Sequence, residues 1–195
     1  MTHATYADLL QPDDKHQALA YDLLLILGVS LLIGLSAQVA IPLPFSPVPI
    51  TGQTLMVLLA GATLGSKRGS LCLLAYLAEG LTGLPVFAAG ASGLSQLLGP
   101  TGGYLIGFVV AAYITGQLAE QGWDRQISTT ALAMLFGNAV IYAFGVTWLT
   151  VFVGWKQAIA VGLYPFIIGD VLKLMIAALA LPFGWKLLSH SQFRP

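Results

Sequence analysis

The chain has 195 residues, 57% of them hydrophobic and only 8% charged, with eight Lys and Arg against eight Asp and Glu. An ordinary soluble domain carries about 25% charged residues, and the even balance argues against a nucleic-acid or acidic partner. The length holds about six spans of roughly 20 residues with short connections and leaves no room for a soluble domain.

Residues 1–20 are polar, with Asp8, Asp13, Asp14, Lys15 and His16, and do not resemble a cleavable signal with a basic start and an apolar core. The first span is expected over about Tyr21 to Ile41. It stops at Pro42-Leu-Pro-Phe-Ser-Pro-Val-Pro-Ile-Thr-Gly-Gln53, whose four prolines cannot continue a helix. A second, short span covers about Gln53 to Leu64 and a third about Gly69 to Leu81. Both are short for a bilayer crossing, so they are expected to join irregular segments buried in protein. A glycine-rich loop follows, Gly80 to Gly103. The fourth span covers about Tyr104 to Ala119, the fifth about Thr129 to Val153, and the sixth about Phe166 to Leu188 after Tyr164-Pro165. The expected organisation is a polar cytoplasmic tail at 1–20, one six-helix membrane domain at 21–190 and a tail at 191–195. The fold class is an all-α integral membrane protein.

Orientation follows from the cations. With the amino terminus inside, Lys15, Lys67, Arg68, Arg125, Lys186 and Arg194 are all cytoplasmic and only Lys156 lies outside, as the positive-inside rule requires. Both termini are then cytoplasmic and both irregular loops face outward. The single cysteine, Cys72, excludes an internal disulfide and reads as a packing residue. No internal repeat of two inverted halves is found.

Asp170 and Lys173 stand out inside the apolar stretch Phe166 to Leu181. Ionisable side chains at membrane depth are costly and mark a ligand, ion or proton site. Three residues apart, they share a helix face and can partner each other. The competing reading is an internal ion pair that only joins helices. An enzyme would need a nucleophile and base or a metal triad. The histidines His3, His16 and His190 lie in the terminal tails, and neither Gly-x-Ser-x-Gly nor His-Glu-x-x-His occurs. A phosphate loop is also absent, so any ATP-driven step belongs to another polypeptide.

Three segments resemble the BioY family of biotin transporters, the substrate-capture (S) components of energy-coupling factor vitamin transporters. They are Ile41-Pro-Leu-Pro-Phe-Ser-Pro-Val-Pro-Ile-Thr-Gly-Gln-Thr54; Gly83-Leu-Pro-Val-Phe-Ala-Ala-Gly90 with Gly99-Pro-Thr-Gly-Gly-Tyr-Leu-Ile-Gly-Phe108; and Tyr164-Pro165 with Gly169-Asp-Val-Leu-Lys173. The resemblance covers about Leu31 to Leu181, and its second segment is the most specific. It implies a six-helix S-component fold in the bacterial cytoplasmic membrane. Biotin, the transported ligand and not a cofactor, would bind under the loops between helices one and two and three and four. It further implies a coupling membrane protein with two ABC-type ATPases as partners, or a stand-alone transporter; a homo-oligomer stays open.

Biotin carries a cyclic urea, a thioether ring and a carboxylate tail. Asp170 is the natural acceptor for the urea, and Lys173 can donate to the urea oxygen or to the tail. Thr51, Gln53 and Thr54, then Gln96, Thr101 and Tyr104, and Asn138 with Tyr142 a turn apart, are candidates to complete the site; the alternative for each is helix capping or interhelical bonding. Phe45, Phe87 and Tyr104 are candidates to stack on the bicyclic ring, or to serve as interfacial anchors. Glu79 reads as a solvated or interfacial carboxylate. Prolines stiffen Pro42–Pro49, while Gly90, Gly93, Gly99, Gly102 and Gly103 permit unusual φ; together they suit a lid, or simply tight turns. Gly103, Gly107 and Ala111 form a small-residue stripe for internal packing. S components typically dock the coupling protein through Ala-x-x-x-Ala on the first helix. Here that stretch reads Leu23-Leu-Leu-Ile-Leu-Gly-Val-Ser30, and the nearest small pairs, Ser30/Gly34 and Ser36/Ala40, lie further outward. A capture protein for another vitamin, or a scaffold with a structural Asp–Lys pair, are the alternatives.

Overall fold

A helix that is apolar on every side has one face for its neighbours and one for lipid, and most of this chain is built of such helices. The structure, a computed structural model, describes residues 4–191. Arg194, His3 and the tail at 192–195 lie outside it. In chain order the elements are α1 (Tyr6–Leu9), α2 (Lys15–Gln38), a hairpin of β1 (Ala40–Leu43) and β2 (Ser46–Thr51), α3 (Gln53–Leu64), α4 (Ser66–Leu81), the short α5 (Leu94–Leu98), α6 (Gly102–Glu120), α7 (Ile127–Val153), α8 (Trp155–Gly162) and α9 (Ile167–Ser191). Among the described residues, four helical stretches are long and apolar enough to cross a membrane: Lys15–Gln38, Gly102–Glu120, Ile127–Val153 and Trp155–Leu188, the last running through the turn at Tyr164–Phe166. With 12 and 16 residues, α3 and α4 rise only about 18 and 24 Å, short of a hydrocarbon core of about 30 Å.

Two expectations change. The first helix begins at Lys15, not Tyr21, because Asp14 caps it, accepting the backbone N–H groups of His16 and Gln17 at 3.0 Å. The class is also not purely α-helical, since the proline-rich segment folds back as an antiparallel pair, with Ala40 opposite Thr51, Ile41 opposite Ile50, and a register break at Pro42. Proline lacks the N–H a helix needs but is tolerated in an edge strand or a bulge. An isolated hairpin is marginal; this one is tied down where Ser46 Oγ donates to the Val161 carbonyl at 2.8 Å and Val48 is buried.

The centre is α6, which packs on α3, α4 and α7. Its small residues are the reason. A Cβ on Gly103 would lie 2.2 Å from Trp148 Cβ, and one on Gly116 2.4 Å from the Ser66 nitrogen. Ala111 is fully buried between them, so the stripe is internal packing. Gly61 on α3 meets α6 in the same way, its added Cβ falling 2.4 Å from the Ala112 carbonyl oxygen. Ser30 and Gly34 are buried as well, Gly34 against Val86, while Leu24, Leu27, Leu31 and Leu35 form the outward face of α2. Glu79 is not solvated: it accepts from Ser30 Oγ at 2.6 Å across the α2–α4 contact, and its other oxygen is buried. Cys72 is free and buried.

At the end opposite the hairpin, residues 4–10 are folded over the bundle. Asp8 accepts Arg68 Nη1 at 2.6 Å, the Tyr6 hydroxyl donates to the Leu181 carbonyl, and Tyr6 packs on Trp185 with ring centroids 4.5 Å apart. Thr5 and Ala7 are buried. Arg68 also bonds Asp22 at 2.8 Å, joining this segment to α2 and α4.

Replacing Gly61 with Ala is expected to lower the thermal unfolding midpoint in detergent, by the equivalent of about 1–3 kcal/mol, because the clash is with backbone. Burial alone would raise the Asp8 carboxyl, but its bonds from Arg68 and Thr5 outweigh this and hold it below the usual value. A depressed carboxyl stabilises fully above its unfolded pKa and stops doing so as pH falls through the folded one. Hydrogen exchange should therefore show residues 4–10 protected at pH 5 and released only below about pH 4, whereas Asp8→Asn should release them at neutral pH.

Candidate functional site

Three helices begin at the hairpin end of the bundle, and their first turns converge. Thr54 stands in the first turn of α3, Tyr104 in that of α6 and Asp170 in that of α9. A helix N-terminus carries a partial positive charge, so Asp170 sits where its own helix favours an anion. Between these turns lies a cavity of about 340 Å³, within the range of about 300–1,000 Å³ for small-molecule sites.

Asp170 is 6% exposed and its oxygens are occupied by side chains from three helices. Lys173 Nζ donates to Oδ1 at 3.1 Å, the Thr54 hydroxyl donates to the same oxygen at 3.4 Å, and the Tyr142 phenol donates to Oδ2. Lys173 also donates to Thr54 Oγ1 at 2.8 Å. The ion pair is thus part of a network joining α3, α7 and α9. Beside it, Gln53 is held at both ends of its amide: Nε2 donates to the Tyr76 hydroxyl at 2.6 Å, and Oε1 accepts from Thr51 Oγ1 at 3.0 Å. The Tyr104 hydroxyl donates to the Gly162 carbonyl at 2.7 Å, and an added Cβ at Gly145 or Gly162 would run into its side chain.

The mouth is formed by the hairpin and the segment between α4 and α6. Phe87 is wedged in, only 2% exposed; a Cβ on Gly80 would come 2.1 Å from its ring, and Tyr76 meets it edge-on at 5.5 Å. Gln38 Nε2 at the end of α2 donates to the Pro85 carbonyl at 3.2 Å, and Trp148 Nε1 to that of Gly99 at 2.9 Å. Ala89, on the cavity wall, has φ 55° and ψ 35°, a left-handed conformation that costs a non-glycine residue about 1–2 kcal/mol. Gly90 and Gly93 do have positive φ, but Gly99, Gly102 and Gly103 do not. Those three are glycines because a Cβ would meet Ser95 O, Leu97 O and Trp148 respectively.

Thr51, Gln53, Thr54, Phe87, Gln96, Thr101, Tyr104, Tyr142, Asp170 and Lys173 all line this cavity. Asn138 does not. It lies one helical turn deeper than Tyr142, facing a smaller void beneath Lys173. Phe45 is at the hairpin tip, 59% exposed and away from the cavity wall, because the turn at Pro44-Phe45 points it outward. Sequence reasoning passed over the apolar walls supplied by Val48, Leu105, Phe108, Ile141 and Phe166. Phe108 was accessible in principle, four residues from Tyr104 on one helix face; the others are apolar residues among many.

The BioY family model matches residues 9–190. The chain is 39% identical over 173 residues to a biotin transporter BioY of Rhizobium etli, covering 83% of this chain and 92% of that protein. It is 42% identical over 149 residues to a biotin transporter BioY of Thermotoga maritima, covering 76% and 86%. Its fold is similar to a crystal structure of the S-component for biotin from an ECF-type ABC transporter, with TM-score 0.76, 27% identity and coverage of 90% of this chain and 95% of that one.

Tyr142→Phe removes one of the donors that satisfy a buried carboxylate. The unfolding midpoint in detergent is expected to fall by the equivalent of about 1–3 kcal/mol, and less than that when Asp170 is already Asn.

Proposed function

The chain belongs to the BioY family, and on that footing we propose that it captures biotin in the cavity beside Asp170 and carries it across the bacterial cytoplasmic membrane. It is a multi-pass membrane protein. The observation that carries the reading is buried Asp170, paired with Lys173 at 3.1 Å, at the wall of a cavity of about 340 Å³ that combines apolar rings with a few polar side chains. One edge of a cyclic urea presents an N–H beside the carbonyl oxygen. Asp170 accepts the N–H and Lys173 donates to the oxygen, two charge-assisted bonds in a dry site. Phe87, Tyr104, Phe108 and Phe166 enclose the thioether ring and tail.

Six crossings, by α2, α3, α4, α6, α7 and α9, put the hairpin end outside and both termini in the cytoplasm. Lys15, Lys67, Arg68, Arg125 and Lys186 fall at the opposite end and Lys156 at the hairpin end, which supports this orientation. In the ECF arrangement, inward release is driven by a coupling membrane protein and a pair of ATPases. A second reading, transport by this chain without them, draws on α2: its Ser30/Gly34 pair is buried and its outward face is leucine.

Titration calorimetry on the detergent-purified protein tests the site. Biotin is expected to bind tightly and riboflavin not at all, with Asp170→Asn losing about 10- to 100-fold in affinity while remaining folded. Unchanged affinity in that variant removes Asp170 from the site.

A further inference from the structure

Asn138 is 7% exposed, and its Oδ1 is buried without a hydrogen-bond partner. An orphaned acceptor of this kind is destabilising and calls for an explanation. The void it borders has no room for a water molecule, and its other walls are Leu55, Leu58, Met134, Leu174 and Ala177, which offer no side-chain donor. Two donors remain on the same void, the Thr54 hydroxyl and the Lys173 ammonium, and both also line the main cavity.

A carboxylate has about four lone-pair positions, two on each oxygen. In this structure Asp170 Oδ1 already receives both Lys173 and Thr54, and the Thr54 contact, at 3.4 Å, is the longer of the two. Among the described residues Oδ2 receives only Tyr142, but a urea edge that also reaches Lys173 meets the oxygen Lys173 is on, Oδ1, and its N–H displaces the weaker donor there. The Thr54 hydroxyl then needs another acceptor, and Asn138 Oδ1 is an unpartnered one on a void that Thr54 also borders.

We propose that Asn138 is a positioning residue for the ligand-loaded state: its Oδ1 takes the Thr54 hydroxyl when ligand occupies Asp170. The assignment rests on the biotin reading, since it needs a ligand that donates to Asp170. Ligand binding then exchanges one long bond at Asp170 for a ligand bond, and satisfies an acceptor that is otherwise without a partner. Asn138 acts on affinity through Thr54, one layer below the cavity, without touching the ligand.

The consequence is a pair of opposite signs. Asn138→Leu removes the orphaned acceptor, so the ligand-free protein should unfold at the same or a higher temperature than the wild type. Its biotin affinity should nevertheless fall about tenfold, because the displaced hydroxyl finds no partner. In a Thr54→Val background, which has no hydroxyl to displace, Asn138→Leu should leave affinity unchanged. Asn138→Ala, which removes the acceptor without adding bulk, should repeat both affinity results if Leu does not fit. Titration calorimetry on the four proteins of this cycle, with thermal unfolding of each, decides the matter. Wild-type affinity in Asn138→Leu or Asn138→Ala, or an equal loss in the Thr54→Val background, overturns the role of Asn138 and leaves the biotin site standing. Failure of the wild-type protein itself to bind biotin overturns both.

Discussion

A carboxylate withdrawn from water must be supplied with donors, and in this protein that requirement shapes the site. Asp170 draws its donors from α3, α7 and α9, so its satisfaction fixes three helices relative to one another. A buried ion pair seldom stabilises a protein over a well-packed apolar alternative. Its presence in a bundle this apolar is the physical ground for the ligand role proposed for it.

Two of the helices that hold Asp170, α3 and α7, approach α6 closely because small residues line it where they meet. Gly103, Gly107 and Gly116, with Gly61 on α3, bring backbones close enough that an added Cβ would clash or crowd at each. With no hydrophobic drive between helices in lipid, such close packing is a main source of association. The same packing sets Tyr104 against Gly145 and Gly162, and thereby fixes one wall of the cavity.

Over the cavity, irregular backbone is tolerated because its polar groups find partners in protein. Gln38, Tyr76 and Trp148 donate to the carbonyls of Pro85, Val86 and Gly99, and Phe87 anchors the segment between Gly80 and Tyr76. The hairpin is held by Ser46 and Val48. The strained backbone at Ala89 sits on this rim, where surrounding contacts over-determine the conformation.

Six helices are legible in the sequence, five of whose starts and all of whose ends fall within three residues of the structural ones, and Asp170 and Lys173 stand out in it as well, because prolines, glycines and intramembrane charges are local signals. It also placed Thr51, Gln53, Gln96 and Tyr142 near the cavity, through their position next to those signals. Which face of each helix turns inward emerged with packing alone. Where lipid and core are equally apolar, no periodicity separates them, so Asn138 and Tyr142, one turn apart on α7, were indistinguishable from sequence although they line different voids. Glu79 followed the same rule, its polarity suggesting water while Ser30 on another helix received it. The folded segment at residues 4–10 and the hairpin belong with them: their partners, Arg68 and Val161, are about 60 and 115 residues away, and bonds over that separation exist only once the helices have packed.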